Sequence, residues 1–173
     1  FGQQFISAAE SIPDIHFVKL PDEAETFEET YRELLQNPEL RIVSAGGDGT
    51  ANWVVSLMSH LFPLNVDTWK PPIAICPFGT GNDLSRSLNW GSRFFESDLE
   101  RIPEFLTKVR GAENSVKLDI WNVTLSRSDV DMTLTKQMLN YFSIGVDAKI
   151  AVNFESCRQS CRCCFCCHCM SKT

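Results

Sequence analysis

The sequence predicts an α/β fold: a parallel sheet with helices on its faces, followed by the start of a second, mainly antiparallel β domain. Three observations lead there. Short apolar runs at residues 40–45 and 73–76 each give way to a helical pattern. Each run ends in a glycine loop, Gly46-Gly47-Asp48-Gly49-Thr50 after the first and Gly79-Thr80-Gly81-Asn82-Asp83 after the second. Beyond residue 116, two strand-like runs follow one another without a helix between them, which breaks the alternation. In a parallel sheet, ligands sit beyond the carboxyl ends of the strands, where both glycine loops fall.

Taken in order, residues 15–20 read as a short strand, and Pro21 with Asp22 introduces a helix. In that helix Ala24, Phe27, Tyr31, Leu34 and Leu35 recur at three- and four-residue spacing, with Glu25, Glu28, Glu29 and Glu33 on the solvated face. Asn37-Pro38 ends it, and the strand at 40–45 follows. Val54, Val55, Leu57, Met58, Leu61 and Phe62 give a helix that stops before Pro63. After the strand at 73–76, residues 84–88 open another helix. Leu99, Ile102, Phe105, Leu106 and Val109 form an amphipathic helix closed by Arg110-Gly111. Residues 116–125 alternate as a half-buried strand, 126–137 read as a polar loop, 138–146 as a second strand and 148–154 as a helix. The division expected is 1–113 for the first domain and 114–173 for the start of the second.

Composition narrows the function. With 173 residues, 43% hydrophobic and 22% charged, the chain is globular. A formal net charge of -6 argues against a nucleic-acid surface. No apolar run reaches the roughly 20 residues of a transmembrane helix, and the first ten residues do not read as a signal peptide. Seven of the eight cysteines crowd into residues 157–169, unlike a disulfide framework, so a reducing, cytoplasmic setting is expected. Cys76, alone in a strand, reads as core.

Glycines in both loops let backbone N–H groups approach phosphate oxygens, and each loop adds a carboxylate free to hold a cation or accept a proton. A tight turn in which Asp48 only caps a helix would explain one such loop, but the fold does not require two. The pair points to a nucleotide site. Neither a Gly-x-x-x-x-Gly-Lys-Ser/Thr loop nor a Gly-x-Gly-x-x-Gly fingerprint occurs. His16 and His60 lie in ordinary elements, and Trp53, Trp90 and Trp121 read as packing residues, with Trp90 close enough to the second loop to line a cleft.

Four stretches carry a family resemblance: residues 46–50, residues 77–91 (Pro-Phe-Gly-Thr-Gly-Asn-Asp-Leu-Ser-Arg-Ser-Leu-Asn-Trp-Gly), Leu118-Asp119-Ile120-Trp121-Asn122, and residues 140–148. In order, they resemble the catalytic domain of eukaryotic diacylglycerol kinases. Sphingosine, ceramide and NAD kinases are relatives, but Asn82-Asp83 and the stretch at 86–91 favour the diacylglycerol kinases. The resemblance implies transfer of the ATP γ-phosphoryl group to the hydroxyl of diacylglycerol, giving phosphatidic acid, in a cleft between an α/β domain and a β-sandwich.

It also implies site residues. Gly46, Gly47, Gly49 and Thr50 would meet the phosphates, and Gly79, Thr80, Gly81 and Asn82 would line the nucleotide pocket. Asp48, Asp83 and Asp119 map onto the family's catalytic carboxylates and its Mg2+ and water network. Whether Asp48 binds metal, orients water or acts as base stays open, and Asp119 reads equally as an exposed strand carboxylate. Asp147 reads as a cap of the helix at 148–154.

The resemblance further implies that the family's first strand and Asn-Pro-x-Ser-Gly loop precede residue 1, that most of the second domain follows, and that this fragment alone does not catalyse. Ile120 stands where many animal relatives have a basic residue. A lipid acceptor implies peripheral membrane contact. A sphingoid-base or ceramide kinase, and an inactive nucleotide-binding or scaffold module, are the alternatives. The cluster at 157–169, with Arg158, Arg162, His168 and Lys172, admits three readings: a continuing helix, acyl-acceptor thiols or zinc ligands.

Overall fold

The computed structural model describes residues 2–20, 22–62, 70–127, 129 and 132–160. It divides into two compact units, residues 1–139 and 140–173. The first contains the α/β arrangement predicted from the sequence. Its centre is a parallel pair, β1 (Ile42–Gly46) and β2 (Ile73–Pro77), in register from Ile42 opposite Ile73 to Gly46 opposite Pro77. Between them runs the helix α3 (Asp48–Leu61), as a βαβ crossover requires.

Side chains alternate along each strand, so this small sheet builds two cores. On one face Val43 and Cys76 pack against Phe5 and Ala9 of α1 (Gly2–Ala9) and against Ile102 and Leu106 of α5 (Ile102–Arg110). On the other, Ile73 and Ile75 meet Ala51 of α3 and Leu84 of α4 (Asp83–Ser87), joined by Leu88, Trp90 and Leu139. Both faces are therefore covered, the usual condition of parallel strands. Cys76 is wholly buried, and burial pushes its thiol up to about 12, with Asp98 adding to the shift. It is a neutral core residue, as the sequence indicates.

Several boundaries differ from the sequence expectation. The helix α1 lies outside the sequence expectation; its Phe5 and Ala9 pack against Ile102 and Leu106 of α5. Residues 15–19 form no ladder, although Ile15 and Phe17 still contribute to the core. The expected long helix after Pro21 shrinks to α2 (Phe27–Tyr31) and a 3-10 turn, Leu34–Gln36, because its apolar positions meet the core at few points and only Leu35 is buried.

A hairpin of β3 (Trp121–Arg127) and β4 (Met132–Met138) ends the first unit. The antiparallel pairing was expected, its limits were not. The strand expected from 116 begins only at Trp121, leaving Asp119 on irregular chain. Most of the expected polar loop at 126–137 is strand, because Thr133, Thr135 and Gln137 line up on one face with Asn122, Thr124 and Ser126. Polarity on that face was mistaken for a loop. The opposite face carries Trp121, Val123, Leu125, Leu134 and Met138. Trp121 is 60% exposed and Trp53 41%, so neither is the packing residue expected.

Of the strand expected at 138–146, Met138 ends β4, residues 139–145 are irregular chain, and the helix α6 (Val146–Ser160) takes up the segment from Val146. Asp147 lies inside its first turn rather than before it. Cys157 is exposed on α6. The remaining cysteines of the cluster, Cys161 to Cys169, lie outside the described residues.

Candidate functional site

Register places the site. Because Gly46 lies opposite Pro77, both strands end at the same level and their loops leave side by side. The Phe78 N–H extends the ladder by donating to the Gly46 carbonyl at 2.9 Å. Phe78 itself stands on a floor of aromatic rings, edge to face with Phe5 at 5.3 Å and with Phe94 at 5.4 Å between centroids.

The loops then touch backbone to backbone. A Cβ on Gly79 would lie 2.4 Å from the Gly47 Cα, and one on Gly47 would lie 3.1 Å from the Gly79 Cα. Gly79 has no room for a side chain, and at Gly47 the neighbouring backbone would have to give by a few tenths of an ångström. Gly46 is hemmed in differently: the Thr50 side chain folds back over it, 2.3 Å from where a Cβ would be. Gly47 and Gly79, expected at the nucleotide site, thus also let one loop pack upon the other.

Asp48 crosses this contact. It opens α3, where a negative charge suits the helix N-terminus, yet its carboxylate reaches over to α4. One oxygen accepts the Asp83 N–H and the other the Leu84 N–H, each at 3.0 Å. A single side chain thereby serves the first turns of two helices, one from each loop. The sequence-level alternative of Asp48 as a helix cap is partly right, except that the helix capped belongs to the other loop.

Asn82 closes the second loop on itself. Its backbone is left-handed (φ 54°, ψ 41°), a conformation Asn tolerates better than most residues. Its side-chain oxygen accepts the Gly79 N–H at 2.9 Å, while its amide nitrogen donates to the carbonyls of Gly79 (2.7 Å) and Ser92 (2.9 Å). Only 2% exposed, it spends both amide ends inside the loop. Beneath it the buried Ser85 hydroxyl donates to the Gly91 carbonyl at 2.8 Å. Trp90 packs edge-on to Phe105, with the Lys108 ammonium 5.4 Å from its ring centre.

What faces outward is backbone. Gly49, Thr80 and Gly81 are exposed, and a Cβ on Gly49 would meet nothing within 4 Å. A shallow surface depression lined by Gln3, Ser7, Leu99 and Glu100 includes none of these residues, and we attach no chemistry to it.

Comparison with known proteins identifies the family. Residues 3–112 match the sequence model described as the diacylglycerol kinase catalytic domain. The chain belongs to this family. Residues 137–173 match the diacylglycerol kinase accessory domain. Among curated proteins, the chain is 35% identical over 142 residues to diacylglycerol kinase iota of Homo sapiens, covering 76% of this chain and 12% of that protein. It is 36% identical over 133 residues to the eye-specific diacylglycerol kinase of Drosophila melanogaster, covering 71% and 9%. Diacylglycerol kinase 1 of Arabidopsis thaliana is 36% identical over 125 residues, covering 70% and 16%. The chain thus spans about a tenth to a sixth of the length of these relatives. No solved structure matches it.

Within this diacylglycerol kinase catalytic domain, the site residues expected from the sequence separate into two groups. Gly46, Gly47, Asp48, Gly49, Thr50, Gly79, Thr80, Gly81, Asn82 and Asp83 belong to one corner of the sheet. The Asp83 side chain is exposed, 3.9 Å from the Arg86 guanidinium. Asp119 is exposed on the chain leading into β3. Among the described residues no three side chains of the metal-binding types gather into a site, so Asp48, Asp83 and Asp119 do not form one by themselves. Magnesium needs no such cage, since it is commonly held by one or two carboxylates together with substrate phosphates. The exposed Asp83 carboxylate beside the Asp48 corner fits that pattern.

Sequence reasoning missed Ser92, whose carbonyl completes the Asn82 network, and Phe5 and Phe94, which support Phe78. Nothing in the sequence marks a carbonyl. The apolar positions Phe5, Ala9 and Ile12 were a readable signal for α1.

Proposed function

We propose that the protein of which this chain is part is an ATP-dependent lipid kinase that converts diacylglycerol to phosphatidic acid. The observation carrying this reading is the meeting of two glycine loops at one sheet edge, tied by Asp48 and leaving exposed backbone at Gly49, Thr80 and Gly81. Family membership supports the same reading.

Phosphoryl transfer asks the protein mainly to position phosphates and to oppose their charge, so loops of this kind are suited to it. Gly46, Gly47, Gly49 and Thr50 would receive the phosphates at the start of α3, where the helix N-terminus favours anions. Gly79, Thr80, Gly81 and Asn82 would form the facing wall. Asp83, Asp48 and Asp119 are the carboxylates assigned to the catalytic group, and Asp83 with Asp48 would hold Mg2+ alongside the phosphates. The metal, when bound, supplies neutralisation of phosphate charge. Residues 1–113 serve in this reading as the nucleotide half, and 114–173 begin the second domain.

The acceptor is a bilayer lipid. None of the described helices is long and apolar enough to cross a membrane. The reading therefore includes a cytoplasmic protein that visits the membrane peripherally. The test is to supply the full-length protein with labelled ATP, Mg2+ and vesicles containing diacylglycerol, sphingosine or ceramide. Label is expected in phosphatidic acid; label in a phosphorylated sphingoid base or ceramide would assign another acceptor. Nucleotide binding without any lipid product would leave a non-catalytic module.

A further inference from the structure

We infer that Asp48 is a positioning residue whose carboxylate fastens the second glycine loop to the first, so that both loops face one set of phosphates. The inference rests on the nucleotide reading above and gives one of its carboxylates a specific task.

The argument begins with what the glycines cannot do. Gly47 and Gly79 approach closely because neither has a side chain, and for the same reason nothing interlocks them. Two bare backbones in contact fix a separation but resist sliding poorly. Orientation has to come from a directional bond, and the Asp48 carboxylate supplies two. They are charge-assisted, 3.0 Å long and aimed at consecutive amides, Asp83 and Leu84. Two such bonds from one rigid group define an angle as well as a distance.

The second loop is built to transmit that restraint. Asn82 joins Gly79 to Ser92 through three hydrogen bonds, so the loop moves as one piece. Holding it at Asp83 and Leu84 therefore holds Gly79, Thr80 and Gly81 as well. Gly81 is drawn in closely enough that a Cβ there would lie 3.3 Å from an Asp48 oxygen.

The test compares full-length wild-type protein with Asp48→Ala and Asp48→Asn. Affinity for ATP is measured with a chelator present, so that no metal contributes, together with amide hydrogen exchange in the 79–84 segment. Asp48→Ala should weaken metal-free ATP binding about tenfold, because a loop no longer fastened has to be ordered as the phosphates bind. It should also raise KM for ATP and speed exchange at Asp83 and Leu84. Asp48→Asn keeps one carbonyl acceptor and should recover part of each effect; it serves alone if the alanine variant does not fold. Wild-type metal-free affinity in Asp48→Ala would overturn the inference, and collapsed turnover beside it would leave Asp48 the catalytic role alone. Unchanged exchange would overturn it as well. Wild-type protein that bound no ATP would instead bring down the nucleotide reading, with amide exchange still reporting whether the clasp forms.

Discussion

The two glycine loops have nearly the same composition and opposite ways of staying in place. The second is self-supporting: Asn82, buried and left-handed, bonds to both polar groups of Gly79 and to Ser92. The first is tied outward instead. Its polar side chain, Asp48, is spent on the other loop, and its Gly49 faces open space. A glycine-rich loop is thus not one kind of object. One carries the shape of the corner, while the other supplies the surface at which a phosphate can arrive.

Substitutions can break or sharpen that contrast. The largest effect is expected from Asn82→Ala, which removes three hydrogen bonds from a buried position and places alanine in a left-handed conformation. About 4 kcal/mol of stability should be lost, read from urea unfolding. Asn82→Gly, relieved of the backbone strain, should lose about 1 kcal/mol less. Next comes Gly79→Ala, whose new Cβ would press on the Gly47 backbone, at a cost of about 2 to 3 kcal/mol. At Gly49→Ala the contrast sharpens. Stability should stay within about 0.5 kcal/mol of the wild type, because the new methyl meets nothing. Affinity for ATP, measured by titration, should nonetheless fall several-fold. Equal destabilisation by Gly49→Ala and Gly79→Ala would erase the distinction between the loops.

Much of the body was legible because it follows period and punctuation. The strands, α3 and α5 have apolar residues at regular spacing and stop at Gly or Pro, so their position within a few residues is a local property. The failures share a cause. The helix α1 depends on Phe5 and Ala9 finding α5, more than ninety positions along the chain. The strand β4 depends on β3, and its threonines and Gln137 read as loop until the cross-strand partners Thr124 and Asn122 are set beside them.

The site divides in the same way. Glycines and carboxylates could be picked out from the sequence, since few other residues suit loops that follow buried strands. Their tasks could not. That Gly47 and Gly79 meet depends on Gly46 lying opposite Pro77, and a shift of one residue would part them. That Asp48 points at α4, and that Asn82 turns inward, follow from this meeting. Only the register of two strands, absent from any local pattern, converts a list of polar residues into a mechanism.

The aromatic floor under the second loop has a practical consequence for dissecting this protein. Phe5 belongs to the first nine residues, a stretch that invites trimming when a minimal nucleotide-binding piece is sought, yet it stacks directly beneath Phe78 and reaches Phe94. A shortened version starting after residue 9 would keep every glycine and every carboxylate of the corner while taking away the surface on which that corner stands. Weakened ATP binding by such a piece would speak of a missing foundation, not of a wrongly assigned site.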